Sequence, residues 1–245
     1  MSHFSALVEA DDEDVLDELL APFEEDTDDQ QYLKFEEAES IHADNKEWGE
    51  GKTLSQYAAD NGYSKHEGVY GYWSNPNAKW DWWTVGGRWS KLLKLKPSKR
   101  GAVADSMNDF DTNYADVAHA GDVDWVGIRD ATRDNAIKRH TKYHAIMNTG
   151  TDDERRQRLL CDNGFLWMPH DDNITTATPT EYGDAAYKEA LTFAVLTADG
   201  EWRGNGNMGW WASVSNIDEG YDTWFWQHIG MLDGEQVVFV VDIHI

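Results

Sequence analysis

The pattern of hydrophobic and polar residues predicts a β-strand at each end of the chain. The first segment reads SHFSALVEA and the last reads EQVVFVVDIHI. Alternation with a period of two, and short runs of Val, Ile and Phe, are typical of half-buried and buried strands. Because a buried strand needs neighbours for its backbone N–H and C=O groups, we expect the two terminal strands to pair.

Apolar residues recur at helical spacing in several segments between these strands. They are DDEDVLDELLAPF, TLSQYAADNGY, DVDWVGIRDATRDNAIKRHTKYHAIMN, GYDTWFWQHIGML and, as a shorter helix, DDERRQRLLCDNGF. The first has acidic residues in its first turn, which suit a helix N-terminus, and ends near Pro22. Asn61-Gly62 is expected to stop the second.

Further strands are predicted in the middle and in the last third of the chain. LTFAVLTADGEWRG reads as a hairpin, because Asp199-Gly200 separates two strand-like runs. Strands are also expected in RWSKLLKLK, which ends at Pro97, and in GWWASVS. The order is β-α at one end and β-β-α-β at the other. It predicts a single α+β domain over 1–245 with a mostly antiparallel sheet, for which a ferredoxin-like core is one arrangement that fits. Residues 24–70 and 100–190 are then elaborations of that core.

The net charge of the chain limits the classes of molecule that it is expected to bind. Its 245 residues include 46 Asp and Glu but 21 Lys and Arg, a formal net charge of −25. Such a field disfavours direct binding of nucleic acid, whose affinity depends on cations that neutralise phosphates. Solubility, adaptation to salt and an acidic surface that docks on a basic host protein all remain open.

Features of secreted and membrane proteins are missing from the sequence. No run approaches the roughly 18 apolar residues of a membrane helix, and the N-terminal segment lacks the pattern of a signal peptide. Cys161 stands alone, so the sequence offers neither an intrachain disulfide nor a cysteine-cluster zinc site. We expect a cytoplasmic protein without a membrane partner.

The segment NPNAKWDWWTVGGRW, residues 75–89, has the composition of the wall of a binding site. Charged side chains lie among tryptophans, and Gly86-Gly87 permits close approach of the backbone. Lys79 and Arg88 would hold an anionic group, and Asp81 would accept a hydrogen bond from a ligand. The predicted ligand-binding residues are Asn75, Lys79, Trp80, Asp81 and Arg88, with Trp210 from a glycine-rich segment further on. The alternative is an aromatic core, with Asp81 and Arg88 as a buried ion pair.

The two ends of the chain supply candidate catalytic residues. Asp242 and His244 share one face of the last strand, and His3 lies on the first strand. If these strands pair, His3, His244 and Asp242 form a candidate acid–base set or metal site; the alternative is that the histidines are solvated. His3-Phe4-Ser5 also resembles the His-x-Ser/Thr motif of two-histidine phosphoesterases, although the second hydroxyl is missing after His244. His140 and His144 are spaced for a shared metal, but neighbouring basic residues favour a solvated patch.

Five sequence motifs, at both ends of the chain and between them, together resemble those of a family of proteins from bacteriophages and mobile elements. They are MSHFSALV, LLAPF, NPNAKWDWWTVGGRW, MGWW and VVDIHI. The resemblance implies a context, an accessory protein in the cytoplasm of a host cell, and no activity or cofactor. We therefore expect a binding protein that antagonises host defence by sequestering a small polar, nucleotide-like ligand or by blocking a host protein. The alternatives are a phosphoesterase-like enzyme that uses His3 and His244, and an interaction protein whose tryptophans form only a core.

Overall fold

The computed structural model describes residues 2–103, 113–157, 172–209, 211 and 213–245. The strands are β1 (His3–Glu9), β2 (Lys34–Glu37), β3 (Ser64–His66), β4 (Val69–Ser74), β5 (Trp82–Val85), β6 (Leu93–Lys94), β7 (Tyr114–Ala115), β8 (Val117–His119), β9 (Ala194–Leu196), β10 (Trp202–Gly204), β11 (Asn207–Met208), β12 (Val214–Ser215) and β13 (Val237–His244). The helices are α1 (Glu13–Leu20), α2 (Ile41–Trp48), α3 (Leu54–Asp60), α4 (Trp125–Met147), α5 (Asp152–Gln157), α6 (Asp172–Thr176), α7 (Pro179–Ala186) and α8 (Tyr221–Ile229). None of the helices described is both long enough and apolar enough to cross a membrane.

The main sheet is built around the two terminal strands. Its order is β10-β9-β1-β13-β5, and β8 also pairs with β13. Strand β1 is antiparallel to β13 from His3 opposite His244 to Glu9 opposite Val238. The pairing of the two ends that the sequence predicts is therefore confirmed, and the fold is α+β with mostly antiparallel strands.

The path of the chain across this sheet differs in one respect from a ferredoxin-like core. Strand β9 lies parallel to β1, and β10 pairs with β9 at the sheet edge. In the ferredoxin-like arrangement the second strand of this hairpin lies beside β1, whereas here the first strand does. The elements follow one another along the chain as predicted, and the neighbourhood of β1 and β13 is the same in both arrangements.

Both faces of the main sheet are buried. On one face Leu7, Val195 and Val240 belong to the same buried cluster as Phe225 of α8 and Ile128 of α4. On the other face β1 and β13 pack with the apolar stripe of α1 in a second cluster, which includes Phe4, Leu16, Leu20, Trp80, Val241 and Ile243. Side chains alternate between the faces along each strand, so β1 and β13 contribute to both clusters.

Several local predictions are confirmed and others need correction. The helices predicted near residues 13, 54, 125 and 221 and the hairpin at Asp199-Gly200 are present, with Gly200 at a φ of +83°. RWSKLLKLK is not a continuous strand, since a 3₁₀ turn covers Gly87–Trp89 and β6 covers only Leu93–Lys94. GWWASVS contains the two-residue β12, and Trp210 and Ala212 in it lie outside the described residues. The sequence did not predict β5 within the tryptophan-rich segment.

The two long segments predicted as elaborations differ in their relation to the main sheet. Residues 24–70 supply none of its described strands; β2 and β3 pair with β4 in a separate three-stranded sheet. Residues 100–190 contribute β8, which continues the edge of β13 opposite Val237 to Phe239. The long helix α4 packs mainly against α7.

Candidate functional site

Strand register brings the polar ends of β1, β13 and β5 together. His3 lies opposite His244, and His244 lies opposite Trp82 on its other side. Asp242 lies two residues before His244 and therefore shares its face of the sheet. The terminal segments and NPNAKWDWWTVGGRW thus form one cluster, which we call the histidine site: His3, Asp81, Trp82, Asp242 and His244.

Asp242 holds the first imidazole of the histidine site. His3 Nδ1 lies 2.9 Å from Asp242 Oδ1, and the two side chains are 9% and 2% exposed. Because a carboxylate only accepts hydrogen bonds, Nδ1 carries the proton and Nε2 of a neutral His3 keeps a lone pair. The second oxygen, Oδ2, accepts a hydrogen bond of 2.9 Å from the backbone N–H of Arg88. Asp242 is thus fixed by two independent donors.

The second imidazole is held from the tryptophan-rich segment. His244 Nδ1 donates to Asp81 Oδ1, and the backbone N–H of Asp81 donates to the carbonyl of His244 at 3.1 Å. Trp82 stacks on His244 with ring centroids 4.9 Å apart and 16° between planes, while 45% of Trp82 stays exposed. The His3 and His244 centroids are 4.7 Å apart. Each imidazole therefore has its own carboxylate, and the two rings are in contact.

Gly86 and Gly87 are required by two buried aspartates. Their φ angles are +74° and +51°, in the region that favours glycine. A Cβ on Gly86 would lie 2.5 Å from Asp116 Oδ2, and one on Gly87 would lie 2.5 Å from Asp242 Oδ2. Asp116 also accepts from the Ser90 hydroxyl at 3.0 Å and from the backbone N–H of Lys91. Close approach to carboxylates, and not to a ligand, explains this glycine pair.

A cavity of about 650 Å³ opens on the other face of the same strand ends. Its lining combines apolar and polar residues: Phe4, Glu25, Asp26, Ala78, Lys79, Asp81, Phe193, Trp202, Gly206, Asn207, Met208, Gly209 and Ile245. Asp81 therefore lines the cavity and also bonds to the histidine site. The volume falls within the range of small-molecule sites, and a mostly apolar wall with a few polar groups is their usual character.

Hydrogen bonds between residues 22–25 and residues 75–80 fix the position of the polar rim of this cavity. Lys79 N–H donates to the carbonyl of Phe23 at 2.8 Å, and Glu25 N–H donates to the carbonyl of Trp80 at 2.7 Å. The side-chain amide of Asn75 donates to the carbonyls of Pro22 and Glu24, at 2.9 Å each. Asn75, proposed from sequence as a ligand-binding residue, is thus a buried tie between the two segments.

The remaining sequence-predicted ligand-binding residues divide between core, surface and cavity. Trp80 is 1% exposed and packs between Phe23 and Trp202 as part of the core. Arg88 has an exposed side chain, does not line the cavity and contacts Asp242 through its backbone. The buried Asp81–Arg88 ion pair is not formed, because Asp81 bonds to His244. Trp210 lies outside the described residues.

His140 and His144 are not a solvated patch. Their Nε2 atoms lie 2.9 and 2.8 Å from the carbonyls of Ala177 and Ile174, and His140 is 4% exposed. The two rings connect α4 to the segment that contains α6 and precedes α7. The pair therefore has a structural role in this part of the molecule.

Some of the residues that define the cavity could not be found by sequence reasoning. Phe193, Trp202 and Met208 look like ordinary strand residues, and Glu25 and Asp26 lie in a segment that reads as acidic surface. Lys79 and Asp81 were predicted from the sequence, and the glycine-rich segment before Trp210 gave a further signal, since Gly206 and Gly209 border the cavity. The cavity is lined by Phe4, by Ile245 and by residues from 25–26, 78–81 and 193–209, which are distant from one another in sequence.

Metal-site geometry and known proteins give no further assignment. Within the described ranges, no group of three or more His, Cys, Asp or Glu side chains is arranged to hold a metal ion. Searches against protein-family models, curated proteins and solved structures find no match for this chain. The histidine site and the cavity are therefore the features of the molecule that bear on its function.

Proposed function

We propose that this protein acts by binding a small polar ligand in the cavity beside Lys79 and Asp81. The observation that carries the proposal is the lining: the half-buried Phe193 and Trp202, backed by the buried Phe4, supply aromatic surface, while the cationic and anionic side chains lie at the rim. Small-molecule sites are lined mainly by apolar and aromatic side chains, and a few polar groups fix the orientation of the ligand. The resemblance to phage proteins supports sequestration of a host ligand as the purpose, with antagonism of host defence as the outcome.

Mass spectrometry of the purified protein after denaturation tests this proposal. A retained small molecule is expected in the wild-type protein and absent in Ala78→Trp, because the indole ring would project into the cavity and occupy part of the space of the ligand. Ala43→Trp is the matched control, since Ala43 is exposed on α2 and does not line the cavity. A molecule retained equally by Ala78→Trp would place the binding elsewhere and contradict the proposal.

A second candidate is a phosphoesterase-like activity at the histidine site. The observation that favours it is that His3 and His244 each have Nδ1 bonded to a separate aspartate, which leaves both Nε2 atoms for proton transfer. In hydrolysis of a phosphodiester, one imidazole would take the proton of the water whose oxygen bonds to phosphorus. The other would give a proton to the alcohol oxygen as its bond to phosphorus breaks.

Two features weigh against this second candidate. Ser5, the hydroxyl of the His-x-Ser motif, is 5% exposed and its Oγ lies 3.4 Å from the backbone nitrogen of Phe193. The carboxylates of Asp81 and Asp242 also repel a phosphate. Hydrolysis of bis(4-nitrophenyl) phosphate that is lost in His244→Gln would nevertheless establish the activity. Equal rates for the two proteins would eliminate it.

A further inference from the structure

The charge of the cavity rim specifies the class of ligand more closely than polarity alone. Its described lining contains the carboxylates of Glu25, Asp26 and Asp81 but only one cation, Lys79. These side chains would repel a phosphate or a carboxylate more than Lys79 alone attracts it, since like charges in a partly enclosed site are unfavourable. The electrostatic balance favours a positively charged ligand.

The aromatic lining fits the same class. Phe4, Phe193 and Trp202 line the cavity and support one another, with Phe4–Phe193 centroids 5.1 Å apart and Phe4–Trp202 centroids 6.2 Å apart. Aromatic rings attract ammonium and guanidinium groups, and the attraction grows as the site excludes water. An organic cation therefore matches both the rim and the wall.

Asp81 is the carboxylate best prepared to anchor such a cation. Its side chain is 37% exposed, so it remains accessible to a ligand, while His244 and the backbone bond to the His244 carbonyl fix its position. Glu25 and Asp26 are exposed and have no comparable side-chain support in the described structure. A fixed carboxylate binds a donor at lower entropic cost than a mobile one does.

From these observations we infer that the cavity takes an organic cation, an amine or a guanidinium compound, with Asp81 as its anchoring residue. The inference rests on the proposed ligand-binding function and names the class of ligand. A ligand at Asp81 would also connect the cavity with the histidine site, because a cation bound there shares the Asp81 carboxylate with His244.

Isothermal titration calorimetry with agmatine and with AMP as probes tests the inference on the whole 245-residue chain. Agmatine is expected to bind and AMP to bind at least tenfold more weakly. Asp81→Asn should weaken agmatine binding by about tenfold or more, because the neutral amide still accepts from His244 but loses the charge-assisted bond to the ligand. Asp28→Asn is the matched control, because Asp28 is exposed and does not line the cavity. It should change the affinity by less than about twofold.

The outcomes separate this inference from the proposed function. If Asp81→Asn and Asp28→Asn weaken agmatine equally, the attraction is a general effect of the acidic surface, and the inference is overturned. If AMP binds more tightly than agmatine and Ala78→Trp abolishes that binding, the cavity is a ligand site of the opposite charge class. The proposed function then survives without the inference. If neither probe binds and no molecule is retained on purification, both fail.

Discussion

Two pairs of histidines have their rings close together, and their surroundings differ. The His3–His244 centroids are 4.7 Å apart, and those of His140–His144 are 4.3 Å apart. The first pair bonds to the carboxylates of Asp242 and Asp81, while the second bonds to backbone carbonyls. A carboxylate stabilises a protonated imidazole by a full charge, whereas a carbonyl supplies only a dipole.

The difference teaches that ring proximity does not by itself identify a functional histidine. In the terminal pair each Nδ1 bonds to the carboxylate of an aspartate. In the α4 pair Nε2 is committed to a carbonyl, and His140 Nδ1 is buried without a hydrogen-bond partner in the described structure. The first pair is suited to chemistry or to ligand coupling, and the second to holding α4 against its neighbours.

The largest expected effect comes from Asp242→Ala. The substitution removes the partner of His3 and leaves the Arg88 N–H without its acceptor, in a site where Asp242 is 2% exposed. Two buried donors, the ring N–H of His3 and the backbone N–H of Arg88, lose their acceptor, so the free energy of unfolding should fall by about 2–6 kcal/mol, at about 1–3 kcal/mol for each. Urea denaturation followed by tryptophan fluorescence measures it. A loss below about 1 kcal/mol would mean that the terminal pair is not a tightly coupled unit.

His140→Ala tests the other pair. It leaves the Ala177 carbonyl unpaired and removes the ring contacts with His144 and Tyr182, so a loss of about 1–3 kcal/mol is expected. Lys138→Ala, on an exposed position of the same helix, is the control and should change stability little. Ligand binding at the cavity should be unchanged in both proteins. An altered affinity in His140→Ala would show that the two pairs are coupled.

Asp124→Ala weakens the start of the helix that carries the second pair. Asp124 caps α4 by accepting from the Gly127 N–H at 3.0 Å, and loss of such a cap costs about 1 kcal/mol. The Lys94 ammonium, at 3.0 Å, and then the Gly127 N–H lower the pKa of Asp124 below its ordinary value. The stabilisation by the charged Asp124 cap is therefore present above the ordinary pKa of aspartate and is lost as the pH falls through the lowered pKa of Asp124. Unfolding measured between pH 7 and 3 should show the wild-type advantage shrinking; a constant difference would argue against the charged cap.

The smallest effect is expected from Arg88→Ala. The side chain is exposed and its tie to Asp242 is through the backbone, which alanine retains, so stability should change by less than about 0.5 kcal/mol. Agmatine affinity should also stay unchanged, because Arg88 does not line the cavity. A large loss of stability would mean that the side chain supports the histidine site and that the backbone contact is insufficient.

The sequence predicts best those features that depend only on local pattern, such as the terminal strands and the face of a strand on which a side chain lies. The period of two places Asp242 and His244 on one face of the last strand, and the expected pairing of the two termini brings His3 close to them. The segment around Asp81 and Trp82 could be recognised as unusual, but not as the partner of the termini. That partnership depends on β5 pairing with β13, a contact between residues 82–85 and 241–244 that no local signal specifies.

The cavity was beyond prediction for a related reason. Its walls come from the ends of β1, β9 and β10 and from two loops, so its shape is a property of packing and not of any one segment. Asn75 illustrates the limit: an amide in a tryptophan-rich stretch reads equally well as a ligand contact or as a tie to the Pro22 and Glu24 carbonyls. Only the position of the distant loop decides between them.

The pairing of β1 with β13 also sets the order of events in folding. His3 and Asp242 are 239 positions apart, and the other neighbour of β1 in the sheet begins only at Ala194. During synthesis, β9 and β13, the partners of β1 in the described structure, therefore emerge from the ribosome only after most of the chain has been made. Contacts between residues so far apart in sequence form only after a large loop has closed, and the entropic cost of closing that loop opposes them. Such contacts slow folding and prolong the time during which the strand is unpaired. We therefore expect β1 to pair late in folding, and the yield of the protein in a cell to depend on chaperones and temperature.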